Sequence, residues 1–242
     1  DLVLVLDSSG SMGASVPLNI PNTPNPTRAQ VQQQAANALV NALPAGSNVS
    51  VVDFDSSATV VQGLTPTPNS AINSAINGIN ASGGTNIGAG IAAADAELDA
   101  NGNSANSQQI LVISDGSSTQ SVAVAAATAA AADGYTVNSV GFPGANTTVL
   151  EAVANAGGGT FVNFNNNPQD IINIFSGSGG GVLVGVTGVE ITDPDGNMFA
   201  ATVDALGNFL MPAFALAPGA NTWVAEATFS DNTTATATLT LF

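Results

Sequence analysis

The stretch Leu2-Val3-Leu4-Val5-Leu6-Asp7-Ser8-Ser9-Gly10-Ser11 decides the fold. Its first five residues are apolar without alternation, the pattern of a strand covered on both faces by helices in a parallel sheet. The run then stops abruptly at a carboxylate, followed by small hydroxyl residues and a glycine. Such a sequence turns sharply out of the strand and leaves side-chain oxygens at its C-terminal end. Two later segments have the same structure: Val49–Phe54, followed by Asp55, and Ile110–Ser114, followed by Asp115-Gly116.

Between these runs the apolar period lengthens to that of a helix. Arg28 to Leu43 carries Val31, Ala35, Leu39 and Leu43 on one stripe and stops at Pro44; residues 69–80 carry Ile72, Ile76 and Ile79. The turn Ser82-Gly83-Gly84-Thr85 leads into a helix over Asn86–Leu98, and Val122–Ala132 is an alanine-rich helix with Gly134 as its C-terminal cap. A strand over 135–142, a helix over 147–156, a strand over 160–164 and a helix over 168–175 continue the alternation. The alternation of strand and helix predicts an α/β domain over 1–176, with a doubly wound, mostly parallel, Rossmann-like sheet flanked by helices.

Past that point the texture changes. Residues 177–181 are glycine and serine and read as a linker. Over 182–242 the period drops to two: Trp223, Ala225, Ala227 and Phe229 share one face, and Ala235, Ala237, Leu239 and Leu241 alternate with threonines. Turns at Asp195-Gly196 and Leu206-Gly207-Asn208 mark hairpins. This predicts a small antiparallel, β-sandwich-like (Ig-like) module. It is shorter than the ~100 residues of an immunoglobulin sandwich, so it is either a minimal sandwich or one whose last strands lie beyond this sequence.

Composition narrows the function. Hydrophobic residues make up 45 % of the 242, enough for a sizeable core, whereas charged residues make up only 7 %. Seventeen acids face one base, Arg28, for a net charge of −16. A chain so acidic has no electrostatic means of gripping nucleic acid or an anionic membrane surface. Cysteine and histidine are absent, which removes disulfides, thiolate chemistry and imidazole acid–base catalysis. No paired carboxylates stand out for general acid–base work, so no enzyme is expected. The chain opens at Asp1, already within a strand, and reads as a processed or trimmed fragment whose signal or anchor lies outside it.

In a doubly wound sheet the strand C-termini open onto one edge, where ligands bind. Asp7-Ser8-Ser9-Gly10-Ser11, Gly83-Gly84-Thr85 and Ser114-Asp115-Gly116 should therefore converge. Their carboxylates and hydroxyls form an all-oxygen set suited to Mg²⁺, Mn²⁺ or Ca²⁺. Taken one at a time, each segment reads more readily as a helix cap with a tight turn than as a ligand site.

Together the three segments resemble the von Willebrand factor A family, whose metal-ion-dependent adhesion site is Asp-x-Ser-x-Ser with a downstream Thr and a downstream Asp. The resemblance covers about residues 1–175 and implies Asp7, Ser9, Ser11, Thr85 and Asp115 as the metal positions. It also implies one divalent cation, Mg²⁺ first, with a vertex left open for a carboxylate of a partner protein. An extracellular or cell-surface adhesion module, bacterial or archaeal, is the function it implies. A structural subunit of a surface layer, sheath or pilus-like assembly, with copies of itself as partners, is the alternative.

Other motifs are weaker. Asp193-Pro194-Asp195-Gly196-Asn197 reads as a hairpin turn rather than a calcium loop, and Asp99–Asn103 as a helix end. Asp53 and Asp55 read as solvated turn residues. Arg28 opens a helix, where a cation opposes the dipole; as the lone base it pairs with a nearby acid or contacts a partner.

Overall fold

The computed structural model describes residues 1–16, 25–43, 46–142, 145–163, 186–203, 209–210, 219–229 and 234–241. The chain divides into two compact units, Asp1–Asn165 and Asn166–Phe242. The expected helix over 168–175, the linker over 177–181 and the turn at Leu206-Gly207-Asn208 lie outside the described residues.

The first unit is an α/β domain. Its strands are β1 (Leu2–Asp7), β2 (Asn48–Phe54), β3 (Ala58–Pro66), β4 (Gln109–Ser114), β5 (Thr136–Gly141) and β6 (Gly158–Asn163), in the spatial order β3-β2-β1-β4-β5-β6. All neighbouring pairs are parallel except β2 with β3. The apolar run that opens the chain is thus a central strand, and Leu2 to Leu6 are buried throughout.

The helices are α1 (Arg28–Ala42), α2 (Ser70–Asn77), α3 (Ile87–Asn101), α4 (Gln120–Ala132) and α5 (Thr147–Ala156). Thr27 starts α1 with a complete capping box: its hydroxyl accepts from Gln30 N, and the Gln30 side chain accepts from Thr27 N. Asn86 caps α3 by accepting from Ala89 N. Gly134, at φ +97°, follows the end of α4 in the left-handed conformation expected of it. One face of the sheet packs Val3, Val5, Val52, Phe54, Ile110 and Val112 against Ile87, Ile91 and Leu98 of α3. Ala123, Ala127 and Ala130 of α4 and Leu150 and Val153 of α5 extend the same core.

Strand β3 is absent from the sequence reading, which passes from Phe54 to the helix at residue 69. Its exposed Val60 and Val61, its interior Gly63 and two irregularities in its register with β2 explain the omission. An edge strand open to solvent on one side does not need the apolar regularity by which buried strands are recognised.

The second unit holds the antiparallel sheet anticipated from the two-residue period. It comprises β7 (Val186–Thr192), β8 (Met198–Val203), β9 (Phe209–Leu210), β10 (Asn221–Phe229) and β11 (Thr234–Leu241), in the order β11-β10-β7-β8-β9. Among the described residues it is one sheet, with Val189, Ile191 and Trp223 forming its small core and Ala225 and Ala227 packed on it. The Asp193–Asn197 segment is the expected hairpin turn: Asp193 Oδ1 accepts from Asp195 N and Asn197 N, and Gly196 takes φ +85°.

Phe54 ends β2 and is fully buried against α3. Phe54→Ala should lower the free energy of unfolding by about 3–5 kcal/mol. Urea titration followed by far-ultraviolet circular dichroism measures this, and a loss under about 1 kcal/mol would show that the core collapses around the gap.

Candidate functional site

Asp7 is the last residue of β1 and is wholly buried. Its Oδ1 accepts a 2.7 Å hydrogen bond from Ser9 N, and its Oδ2 a 2.5 Å bond from Ser114 Oγ at the end of β4. Burial pushes the Asp7 carboxyl up from the ordinary range; the bonds from Ser114 and Ser9 pull it partly back, and the nearby Asp115 adds a smaller push upward.

The backbone of Asp7 is held from the other side. Gln32, fully buried on α1, accepts from Asp7 N at 3.1 Å and donates through Nε2 to Asp7 O at 2.9 Å. One amide side chain therefore satisfies both backbone groups where the sheet ladder runs out.

The three segments do converge. Ser8 N and Ser8 Oγ both donate to Phe54 O, which ties the first loop to the end of β2. Ser82 N donates to Ser8 O at 2.6 Å, and Gly10 N to Gly83 O at 3.1 Å, so the glycine turn lies directly along the first loop. Ile87 N donates to Ser118 Oγ, joining the start of α3 to the loop after β4. Ser114 Oγ, donating to Asp7 and accepting from Gly116 N, closes the circuit.

Within this junction Ser9 Oγ and Ser11 Oγ lie 3.0 Å apart, Ser9 buried and Ser11 exposed. Thr85 is half-buried at the end of the glycine turn, next to the cap Asn86. Asp115 is buried on the β4 side. Gly116 follows at φ +75°, and a Cβ there would fall 2.5 Å from Asn146 O, so only glycine permits the turn that presents Asp115.

Arg28 NH1 donates to Asp115 Oδ2 at 2.9 Å, with the arginine side chain 18 % exposed and the aspartate 2 %. Of the two roles open to Arg28 from the sequence, the structure selects pairing with an acid. That acid lies 87 residues away and inside the candidate site.

The pair Asp53 and Asp55 is half-buried rather than fully solvated. Ser57 hydrogen bonds hold the Asp55 carboxyl below its usual range. With Ser8, Ser82 and Asn80 the two acids line a cavity of about 330 Å³ beside the junction. Among the described residues no three His, Cys, Asp or Glu side chains gather tightly enough to hold a metal by themselves. Any ion at the junction therefore depends on the hydroxyls.

Gln32 and Ser114 were not singled out as site residues in the sequence. For Gln32 a signal existed: it is a polar residue one turn from Arg28 on the buried side of α1, with Val31 and Ala35 beside it.

A doubly wound sheet with oxygen-bearing loops gathered at the C-terminal edge of its central strands defines a class of α/β domains. Within that class a family model for the von Willebrand factor type A domain matches residues 2–117, and this domain belongs to that family. Solved structures agree in fold. An aerotolerance-related membrane protein from Bacteroides fragilis is 21 % identical, with a TM-score of 0.63, over 72 % of this chain and 96 % of its own. A von Willebrand factor type A protein from Catenulispora acidiphila is 17 % identical with a TM-score of 0.59, over 99 % of this chain and 65 % of its own. The pilus adhesin SpaC from Lactobacillus rhamnosus GG is 18 % identical with a TM-score of 0.57, over 80 % of this chain and 32 % of its own. At these identities the likeness is one of fold. No curated protein matches the chain.

Replacing Gln32 by Leu leaves two buried backbone groups of Asp7 without partners, at roughly 1–3 kcal/mol each. Gln32→Leu should therefore unfold at a clearly lower urea concentration than wild type. An unchanged midpoint would mean that water replaces the clamp.

Proposed function

We propose that this protein is a divalent-cation-dependent adhesion or ligand-binding module of the cell surface or extracellular space, and not an enzyme. Ser9, Ser11 and Thr85 would hold the ion through neutral hydroxyls, with Asp7 and Asp115 supplying negative charge behind them. The observation that carries this reading is the 3.0 Å separation of Ser9 Oγ and Ser11 Oγ in front of two buried carboxylates. Adjacent ligands of an octahedral Mg²⁺ with bonds near 2.05 Å lie about 2.9 Å apart, so this pair suits one edge of such a shell. Both oxygens of Asp7 already accept hydrogen bonds within the loops, which fits a role in orienting and charging the site rather than in direct contact.

When bound, the cation supplies a positive, electrophilic vertex in a protein of net charge −16. Neutral hydroxyl donors leave that charge largely unquenched. A carboxylate of a partner protein is the ligand that suits it, because the acidic surface otherwise repels anions. Ser11 is exposed beside the buried Ser9, which supports an approach of the partner from that side. No helix among the described residues is long and apolar enough to cross a membrane. A pilus adhesin among the structures of like fold agrees with a surface role.

A second reading, a structural subunit contacting copies of itself, is favoured by β11. This edge strand exposes Leu239 and Leu241 beside a row of threonines, which suits strand-to-strand assembly. Light scattering with and without divalent ions decides between the readings, since a monomer under both conditions excludes self-assembly.

Isothermal titration with MgCl₂ and MnCl₂ should show one ion per chain, abolished in Asp7→Ala and weakened at least about tenfold in Ser9→Ala. Heat-neutral titrations with both metals would remove the proposal.

A further inference from the structure

Resting on the cation-site reading above, we infer that Arg28 is an internal counter-ion of that site: it compensates Asp115 while the cation is absent and thereby sets a low cation affinity. The pairing is unusual on four counts. Arg28 is the only basic side chain among 242 residues, so its placement on one of seventeen acids is selective. It reaches Asp115, the acid that opens the loop after β4 at the candidate site, across 87 residues of sequence. Its position as the first residue of α1 opposes the helix dipole, so helix stability does not account for it. The contact is also largely withdrawn from water, where a charge pair is screened far less than at the surface.

The geometry gives α1 a hold on both acids at once. Arg28 and Gln32 stand one turn apart; the first binds the side chain of Asp115, the second the backbone of Asp7. Arg28 is itself fixed by the segment that carries the serines, since Arg28 N donates to Ala14 O and Val16 N to Pro26 O, with Ser15 bridged to Thr27. Arg28 is therefore a positioning residue. Without a cation, two carboxylates buried at one junction repel each other, and the guanidinium reduces their formal charge from two negatives to one. With a cation arriving, the same guanidinium is a like charge that must be overcome, and Asp115 Oδ2 is already engaged.

The test uses the full chain as wild type, Arg28→Gln and Arg28→Lys, in calorimetric titration with MgCl₂ and thermal unfolding in EDTA and in saturating Mg²⁺. Arg28→Gln should bind Mg²⁺ more tightly, on the order of tenfold, because a positive charge a few ångströms from the ion is gone. It should melt earlier than wild type in EDTA, and this deficit should shrink in saturating Mg²⁺. Arg28→Lys, which keeps the charge, should stay within about threefold of wild-type affinity. Unchanged or weaker binding by Arg28→Gln overturns the inference while leaving the cation site standing, as does a melting deficit equal in EDTA and Mg²⁺. Should Arg28→Gln fold only in Mg²⁺, the inference is supported; failure to fold in either marks Arg28 as merely structural and overturns it. If wild type and both variants all bind no Mg²⁺, the cation-site reading falls and this inference falls with it.

Discussion

The rest of the structure depends on placing the carboxylate of Asp7, out of water, at the end of a central strand. Burying a charge is costly unless it is met by hydrogen bonds. Here Ser9 N and Ser114 Oγ meet the carboxylate and Gln32 meets the peptide groups on either side of it. Each partner comes from a different part of the chain: the first loop, β4 and α1. Satisfying one buried acid therefore specifies where three elements must lie, and those elements carry the other oxygens of the site.

The stability of the fold and the geometry of the candidate site rest on the same atoms. The apolar core under the site, from Val5 and Phe54 to Ile87 and Ile91, supplies rigidity without specifying chemistry. Above it, polar contacts between loops set the positions: Ser82 on Ser8, Gly10 on Gly83, Ile87 on Ser118. Nearly all are hydrogen bonds to backbone groups, which hold their geometry without long, flexible side chains. That is how a chain with so few charges builds a defined polar centre. It also explains the small residues in these loops, since a Cβ would meet the backbone of Asn146 at Gly116 and the carboxylate of Asp55 at Gly83.

Arg28 is the exception to this economy of charge. The single basic side chain of the sequence lies on Asp115, which ties the acidic junction to the start of α1 through an ion pair. The Arg28–Asp115 ion pair and the Gln32 clamp make α1 part of the site rather than a layer packed beneath it.

Much of this was legible in sequence, because burial leaves a periodic trace. The uniform run Leu2–Leu6, the same pattern at Val49 and Ile110, and helical spacing between them define the doubly wound sheet. The meeting of the motifs at Asp7 and Ser114 follows, because strand ends of a parallel sheet share one edge; the turn at Gly83, between α2 and α3, does not follow from that rule alone. Strand β3 left no such trace, since its solvent-facing valines and interior glycine break the period. Nor did the sequence disclose that Ser114 binds Asp7, that Gln32 grips its backbone, or that Arg28 reaches Asp115. These are contacts between residues 107, 25 and 87 positions apart. Local pattern reports whether a side chain is buried and on which face of its element; which partner it meets there depends on how the elements pack in three dimensions, and that only the tertiary structure decided.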